Sequence, residues 1–151
     1  KGSWIMHMLR RQMGDQRFQS MLAAICKRYA HASISTAQFQ KLAVEFLPPG
    51  SPDPKLENFF EQWVYGTGIP AIKLSWSVKG KAPALRVTGK VTQSDVAEDF
   101  TAAVPVEISF SRAKPVTHWV RTSSDPVTFQ VAVRQVPAKV ILDPGLSVLR
   151  Q

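Results

Sequence analysis

The hydrophobic period of this chain changes once, within Trp63-Val64-Tyr65-Gly66-Thr67-Gly68-Ile69-Pro70-Ala71-Ile72-Lys73-Leu74, and that change limits the fold to a helical part followed by an extended part. Gly66 and Gly68 are free to take the left-handed backbone that ends a helix, and Pro70 biases Ile69 toward an extended conformation. The stretch reads as a helix stop joined to a strand start, a structural hinge with no chemistry of its own.

Four helices are expected before the hinge. Ile5, Met8, Leu9 and Met13 recur at helical spacing, and Gly14 stands where a C-terminal cap belongs. Asp15 is placed to cap a second helix whose apolar stripe is Phe18, Met21, Leu22, Ile25 and Tyr29; Lys27 and Arg28 suit the negative end of its dipole. Ser35 or Thr36 caps a third, with Phe39, Leu42, Ala43 and Phe46 inward, and Leu47-Pro48-Pro49-Gly50-Ser51-Pro52 stops it. Asp53-Pro54 opens the fourth, with Leu56, Phe59, Phe60 and Trp63 inward. The stripes are wide for so small a bundle, so one face is expected to pack on a further domain.

After the hinge the period is two. Ile72, Leu74, Trp76 and Val78 alternate with Lys73, Ser75, Ser77 and Lys79, and Gly80-Lys81-Ala82-Pro83 turns the chain into Leu85, Val87, Gly89 and Val91. Residues 93 to 102 are acidic and unpatterned and read as a crossing loop. Further strands are expected at Val104–Phe110, Val116–Thr122, Val127–Val133 and Val140–Leu142, with Leu146–Leu149 adding a seventh pairing. The fold class is therefore α+β: an array of about four antiparallel helices over residues 1–68, then an antiparallel β-sandwich of about seven short strands over residues 69–151. Prolines and lysines guard its open edges.

Composition bounds the function. At 151 residues and 44% hydrophobic content the chain can bury one core or two small abutting ones. No apolar run approaches the roughly 20 residues that span a bilayer. The chain opens at Lys1-Gly2-Ser3 and enters helical periodicity at once, as a piece cut from a longer protein would. The net charge of +8 is spread along the sequence; Lys73, Lys79, Lys81, Arg86 and Lys90 alternate with apolar residues as on a solvated sheet face, so no specific nucleic-acid partner is expected. The lone Cys26 neighbours the stripe of the second helix and reads as a small core residue.

Reactive constellations are sparse. His7, His31 and His118 have no His-x-x-x-His or His/Cys spacing for zinc, and no Gly-x-Ser-x-Gly or phosphate-cradling glycine loop occurs. Glu57 and Glu61 lie one turn apart beside Lys55, as on a solvated helix face. No residue of this chain is assigned a catalytic, cofactor-binding or metal-binding role.

The ordered residues Lys1-Gly2-Ser3-Trp4-Ile5-Met6-His7-Met8-Leu9-Arg10-Arg11-Gln12-Met13-Gly14-Asp15, Phe18, Tyr29, Ser33-Ile34-Ser35-Thr36 and Phe59-Phe60-Glu61-Gln62-Trp63-Val64-Tyr65-Gly66-Thr67-Gly68-Ile69-Pro70 resemble the aminopeptidase N family of zinc metallopeptidases. The later strands, ending in Val140-Ile141-Leu142-Asp143-Pro144, resemble more loosely the β-sandwich domain that follows the catalytic domain in that family. The resemblance implies a parent enzyme that removes N-terminal residues from peptides. In that family a His-Glu-x-x-His helix and a downstream Glu hold zinc, the motif Glu activates the metal-bound water, and a Tyr of a Tyr-x-Lys-Gly pattern stabilises the oxyanion. Lys1-Gly2 would be the end of that pattern, so all of these groups are expected upstream of residue 1. The chain is then the non-catalytic C-terminal portion, inactive alone and without zinc of its own, reaching peptide substrate only through the catalytic domain on which it packs. The alternative is a scaffold or adaptor of the same architecture that has lost the zinc site.

Overall fold

The computed structural model describes residues 1–151 and divides into two compact units, Lys1–Thr67 and Gly68–Gln151. The first holds four helices and the second two three-stranded antiparallel sheets, so the class is α+β. No helix is long and apolar enough to cross a membrane.

Helix α1 (Gly2–Met13) buries Met8, Leu9 and Met13 and ends at Gly14, whose φ of 82° and N–H bond to the Arg10 carbonyl (2.8 Å) give the glycine cap its reason. Gly14 also immediately precedes α2 (Asp15–Arg28), so one residue makes the corner. Asp15 is therefore not the cap. It is the first helical residue, and its carboxylate accepts from Arg10 Nε at 2.8 Å across that corner. The hydrogen bond and the charge of Arg10 hold its carboxyl below the usual range.

On α2 only Met21 is buried; Leu22 is 38% exposed. Cys26 is exposed, not a core residue. At about 100° per residue it lies roughly 140° around the helix from Met21, on the solvent side of the stripe. Helix α3 (Thr36–Glu45) starts with a reciprocal cap: Ser35 Oγ accepts from Gln38 N, and Gln38 Oε1 accepts from Ser35 N at 2.8 Å. Arg28 then clasps Glu45 through Nη1 (2.9 Å) and Nη2 (2.8 Å), fastening the end of α2 to the end of α3.

The fourth helix departs from expectation at both ends. Asp53-Pro54 does not open it. Leu56 adopts left-handed backbone (φ 56°) before α4 (Glu57–Phe59), and Asp53 caps from a distance, Oδ2 accepting from Phe59 N at 2.9 Å. The chain then widens into a π-helical segment, Phe60–Tyr65, closed by Gly66 N donating to Glu61 O at 2.8 Å. Leu56, Phe59, Phe60 and Trp63 are all buried. Phe60 packs against Phe59 and Phe39 with ring centroids 5.9 and 6.1 Å apart.

The hinge glycines are needed for room, not for left-handed backbone. Gly66 has φ −64°, and a Cβ there would stand 2.5 Å from the Gln62 carbonyl oxygen. A Cβ on Gly68 would stand 2.8 Å from the Asp95 carbonyl oxygen. Each close approach lies inside its own unit.

In the second unit β1 (Ala71–Lys81) and β2 (Ala84–Ser94) form a hairpin in unbroken register from Ala71 opposite Ser94 to Lys81 opposite Ala84. β5 (Val127–Val133) adds to the far side of β2. The second sheet places β3 (Ala103–Ser109) between β4 (Val116–Arg121) and β6 (Lys139–Leu142). Pairing rows fix one apolar face per sheet. Val78, Val87 and Val131 share a row of the first; Val106, His118 and Leu142 share a row of the second. The rings of His118 and Phe129 meet at 5.2 Å between the two sheets. The crossing loop is pinned by Gln93 Nε2, which donates to the Phe100 carbonyl at 2.8 Å.

Leu146–Leu149 is not a strand. Asp143 is fully buried and its carboxylate accepts from Ser147 N (2.7 Å), from the Ser147 hydroxyl and from Val148 N (3.0 Å). These backbone donors are spent on the carboxylate, and positive φ at Asp143 and Leu146 curls the segment. Six strands result.

Two consequences are measurable. Gly89 pairs with Phe129, and a Cβ on it would lie 2.1 Å from Phe129 Cζ, so Gly89→Ala is expected to destabilise the sheet unit by roughly 1–3 kcal/mol. In a Phe129→Leu background that loss should shrink, which a denaturant double-mutant cycle reads directly. The Glu45 carboxyl is held below its ordinary range, first by the hydrogen bond from Arg28. A depressed folded value means the unfolded chain binds more protons, so this stabilisation is full above the ordinary glutamate pKa of about 4.3 and is lost as pH falls through the folded value. Urea midpoints followed by far-UV circular dichroism should fall across that window, and less steeply in Glu45→Gln.

Candidate functional site

The titratable groups singled out in the sequence stay apart. His7 sits on α1 with its ring edge-on to Trp4 at 5.5 Å, His31 is exposed in a loop with φ 62°, and His118 stacks on Phe129. Glu57 pairs with Lys55 at 3.8 Å on the surface, and Glu61 is exposed. No three or more His, Cys, Asp or Glu side chains converge to hold a metal ion. The buried carboxylate of Asp143 is fully engaged in its own turn and serves the backbone.

What the fold does concentrate is positive charge. Strand periodicity sends Lys73, Ser75, Ser77, Lys79 and Lys81 of β1 to the side opposite its apolar row, and antiparallel register lines them up with neighbours of the same face. Lys73 faces Thr92, Ser75 faces Lys90, Ser77 faces Thr88, and Lys79 faces Arg86. β5 continues the face with Thr128, Gln130 and Ala132, and Arg86 Nη1 donates to Gln130 Oε1 at 3.3 Å. Lys73, Lys79, Lys81, Arg86 and Lys90 are exposed, and none is in an ion pair. No acidic side chain lies on this face. At about 3.4 Å per residue, the five cations form a stripe roughly 27 Å long and about two strands wide.

The chain's charge looks diffuse when counted along the sequence and becomes a stripe only once the hairpin register is known. The signal that could have found it is the absence of any Asp or Glu between Glu61 and Asp95, a run that contains all five cations. Lys79 directly opposite Arg86 is an unfavourable cross-strand pair.

The edge of the same sheet is open. β1 pairs on one side only, its eleven residues contain no proline, and no bulge interrupts the register. Its apolar row is incompletely covered: Ile72 is buried, Leu74 and Val78 are half-buried, and Trp76 is 42% exposed.

The like-charge pair supplies a test of this electrostatic arrangement. Arg86→Glu, which converts repulsion to attraction opposite Lys79, is expected to raise sheet-unit stability by roughly 0.2–1 kcal/mol in urea unfolding at low salt. Most of that gain should vanish near 1 M salt, where screening acts within about 3 Å. No family model matches this chain, and no curated protein matches it either.

Proposed function

We propose that this chain is the non-catalytic C-terminal portion of a zinc-dependent aminopeptidase that removes N-terminal residues from peptides. On this reading residues 1–68 are the last helices of the catalytic domain and residues 69–151 are the β-sandwich domain that follows it. The observation that carries the reading is the ordered resemblance of the first part of the chain, ending in Phe59-Phe60-Glu61-Gln62-Trp63-Val64-Tyr65-Gly66-Thr67-Gly68-Ile69-Pro70. Two features support it. The division between compact units falls between Thr67 and Gly68, inside that motif. The second unit consists of two three-stranded antiparallel sheets that meet through the His118 and Phe129 rings, as the two layers of a sandwich would.

The donor set of the chain does not fit zinc, since its three histidines lie on α1, in a loop and on β4, and no carboxylates gather around any of them. No catalytic step is therefore assigned to its residues. Their part in the parent enzyme is structural: the buried row Leu56, Phe59, Phe60 and Trp63 completes the helical wall, and the half-exposed stripe of α2 is the face that packs on the rest of the catalytic domain.

Zinc content and hydrolysis of aminoacyl-arylamides test the proposal, measured on the 151-residue chain and on a longer polypeptide extended upstream through the proposed catalytic domain. The longer polypeptide is expected to hold zinc stoichiometrically and to turn over, the 151-residue chain to do neither. Turnover by the short chain would overturn the proposal, and a longer polypeptide without zinc or activity would replace it with a scaffold role.

A further inference from the structure

We infer that the free edge of β1 is a docking site for an extended peptide segment of alternating acidic and apolar residues, which adds to the β1–β2–β5 sheet as a fourth strand.

The backbone comes first. In an antiparallel pair alternate residues direct both N–H and C=O to the partner, so those between them on β1 point away from β2. They have no bond to any other element of the chain. The devices that ordinarily blunt an edge by shape are missing: the strand is long, lacks proline and keeps its register for eleven residues. A peptide can continue the ladder from Ala71 onward, beyond the Pro70 carbonyl, which already accepts from Gln151 N at 2.9 Å.

The two side-chain rows then specify what that peptide carries. On one face, Trp76 and its half-buried neighbours Leu74 and Val78 leave apolar surface at the sheet's margin, whereas Val87 and Val91 on β2 are covered. An apolar residue beside Trp76 would complete that row. On the other face the new strand would meet Lys73, Lys79 and Lys81, with Lys90 and Arg86 one strand behind and no carboxylate to answer them. Opposite charges across a strand pair are favourable and like charges are not. A second copy of β1 would set the same lysines against one another, so the edge rejects itself and selects acid.

This placement uses features that a general attraction to polyanions leaves idle. The cationic face carries no aromatic side chain on which unpaired bases could stack, and no helix or ribbon that could enter a groove. It also lacks the exposed large apolar residues that insert into a bilayer surface. The one exposed aromatic of β1, Trp76, lies on the opposite face, where only an added strand reaches it together with the lysines.

The test is calorimetric titration of the 151-residue chain with a capped peptide of alternating glutamate and valine. Four comparison probes are the same peptide N-methylated at alternate residues, a scramble of identical composition, a lysine–valine version, and polyglutamate. Binding of the alternating peptide is expected, with amide shifts along residues 71–81 in nuclear magnetic resonance. Lys73→Glu combined with Lys79→Glu, both at exposed positions, should weaken it by about tenfold or more. The N-methylated and scrambled peptides should weaken comparably, and the lysine–valine peptide should prefer the charge-reversed variant. Equal affinity for polyglutamate or for the N-methylated peptide would overturn the inference in favour of a bare charge stripe. Tighter binding of duplex DNA or of anionic vesicles would overturn it in favour of those partners, and no binding at millimolar peptide would remove the site altogether. None of these readouts depends on zinc or on peptidase activity, so the inference stands or falls separately from the proposed parent enzyme.

Discussion

The sheet unit depends on Phe129 lying across Gly89. Glycine weakens a strand by leaving its backbone unconstrained and its side-chain position empty, and a phenyl ring on the neighbouring strand supplies what the missing side chain would have. The same ring faces His118 of the other sheet at 5.2 Å, so one side chain closes the hole in its own sheet and contributes to the contact between the two. Val87 and Val91, on either side of Gly89 in the inward row, are buried around it. The stripe of cations stands on the reverse face of this same sheet, where five like charges repel one another and the backbone ladder holds them in line.

The strands were legible because alternation is a local property. The six observed strands fall where apolar and polar residues alternate or where a short β-branched run ends in a turn signal, and residues 95–102 between β2 and β3 lack both. The seventh expected strand failed for a reason that pattern cannot carry. Leu146–Leu149 has the right residues, but the buried carboxylate of Asp143 takes the N–H groups that strand pairing would need. Asp143-Pro144-Gly145 is visible as a turn; the reach of its first side chain over the next five residues is not.

The helices divide in the same way. The glycine corner at Gly14 and the cap at Ser35 follow from residue type and spacing. Asp15 and Asp53 each carry the chemistry of a cap and sit near a helix start, yet Asp15 turns back to Arg10 and Asp53 reaches forward to Phe59. Local preference named the participants and left the partner undecided. The widening at Phe60–Tyr65 had no signal in apolar spacing, because Phe59, Phe60 and Trp63 serve an α-helical and a π-helical turn equally well. As for the site, alternation alone puts each cation on the solvent face of its own strand, but which cations stand beside one another follows only from the β1–β2 register. A one-residue slip in that register would have separated Lys79 from Arg86.

A protein under selection for stability alone has little reason to keep Lys79 opposite Arg86, or to leave Trp76 half covered in the middle of its strand's apolar row. Either feature alone is ordinary, since like charges at a surface cost little and edge residues are often exposed. Their coincidence on one strand is harder to dismiss, because both are relieved by the same event: an added strand that brings carboxylates to one face and an apolar side chain to the other. Local rules broken together, with a shared remedy, mark the places where a fold keeps stability in reserve for a partner. The lysines that protect the edge from its own copies are then also the groups that recognise something else, and protection and specificity become two consequences of one charge pattern.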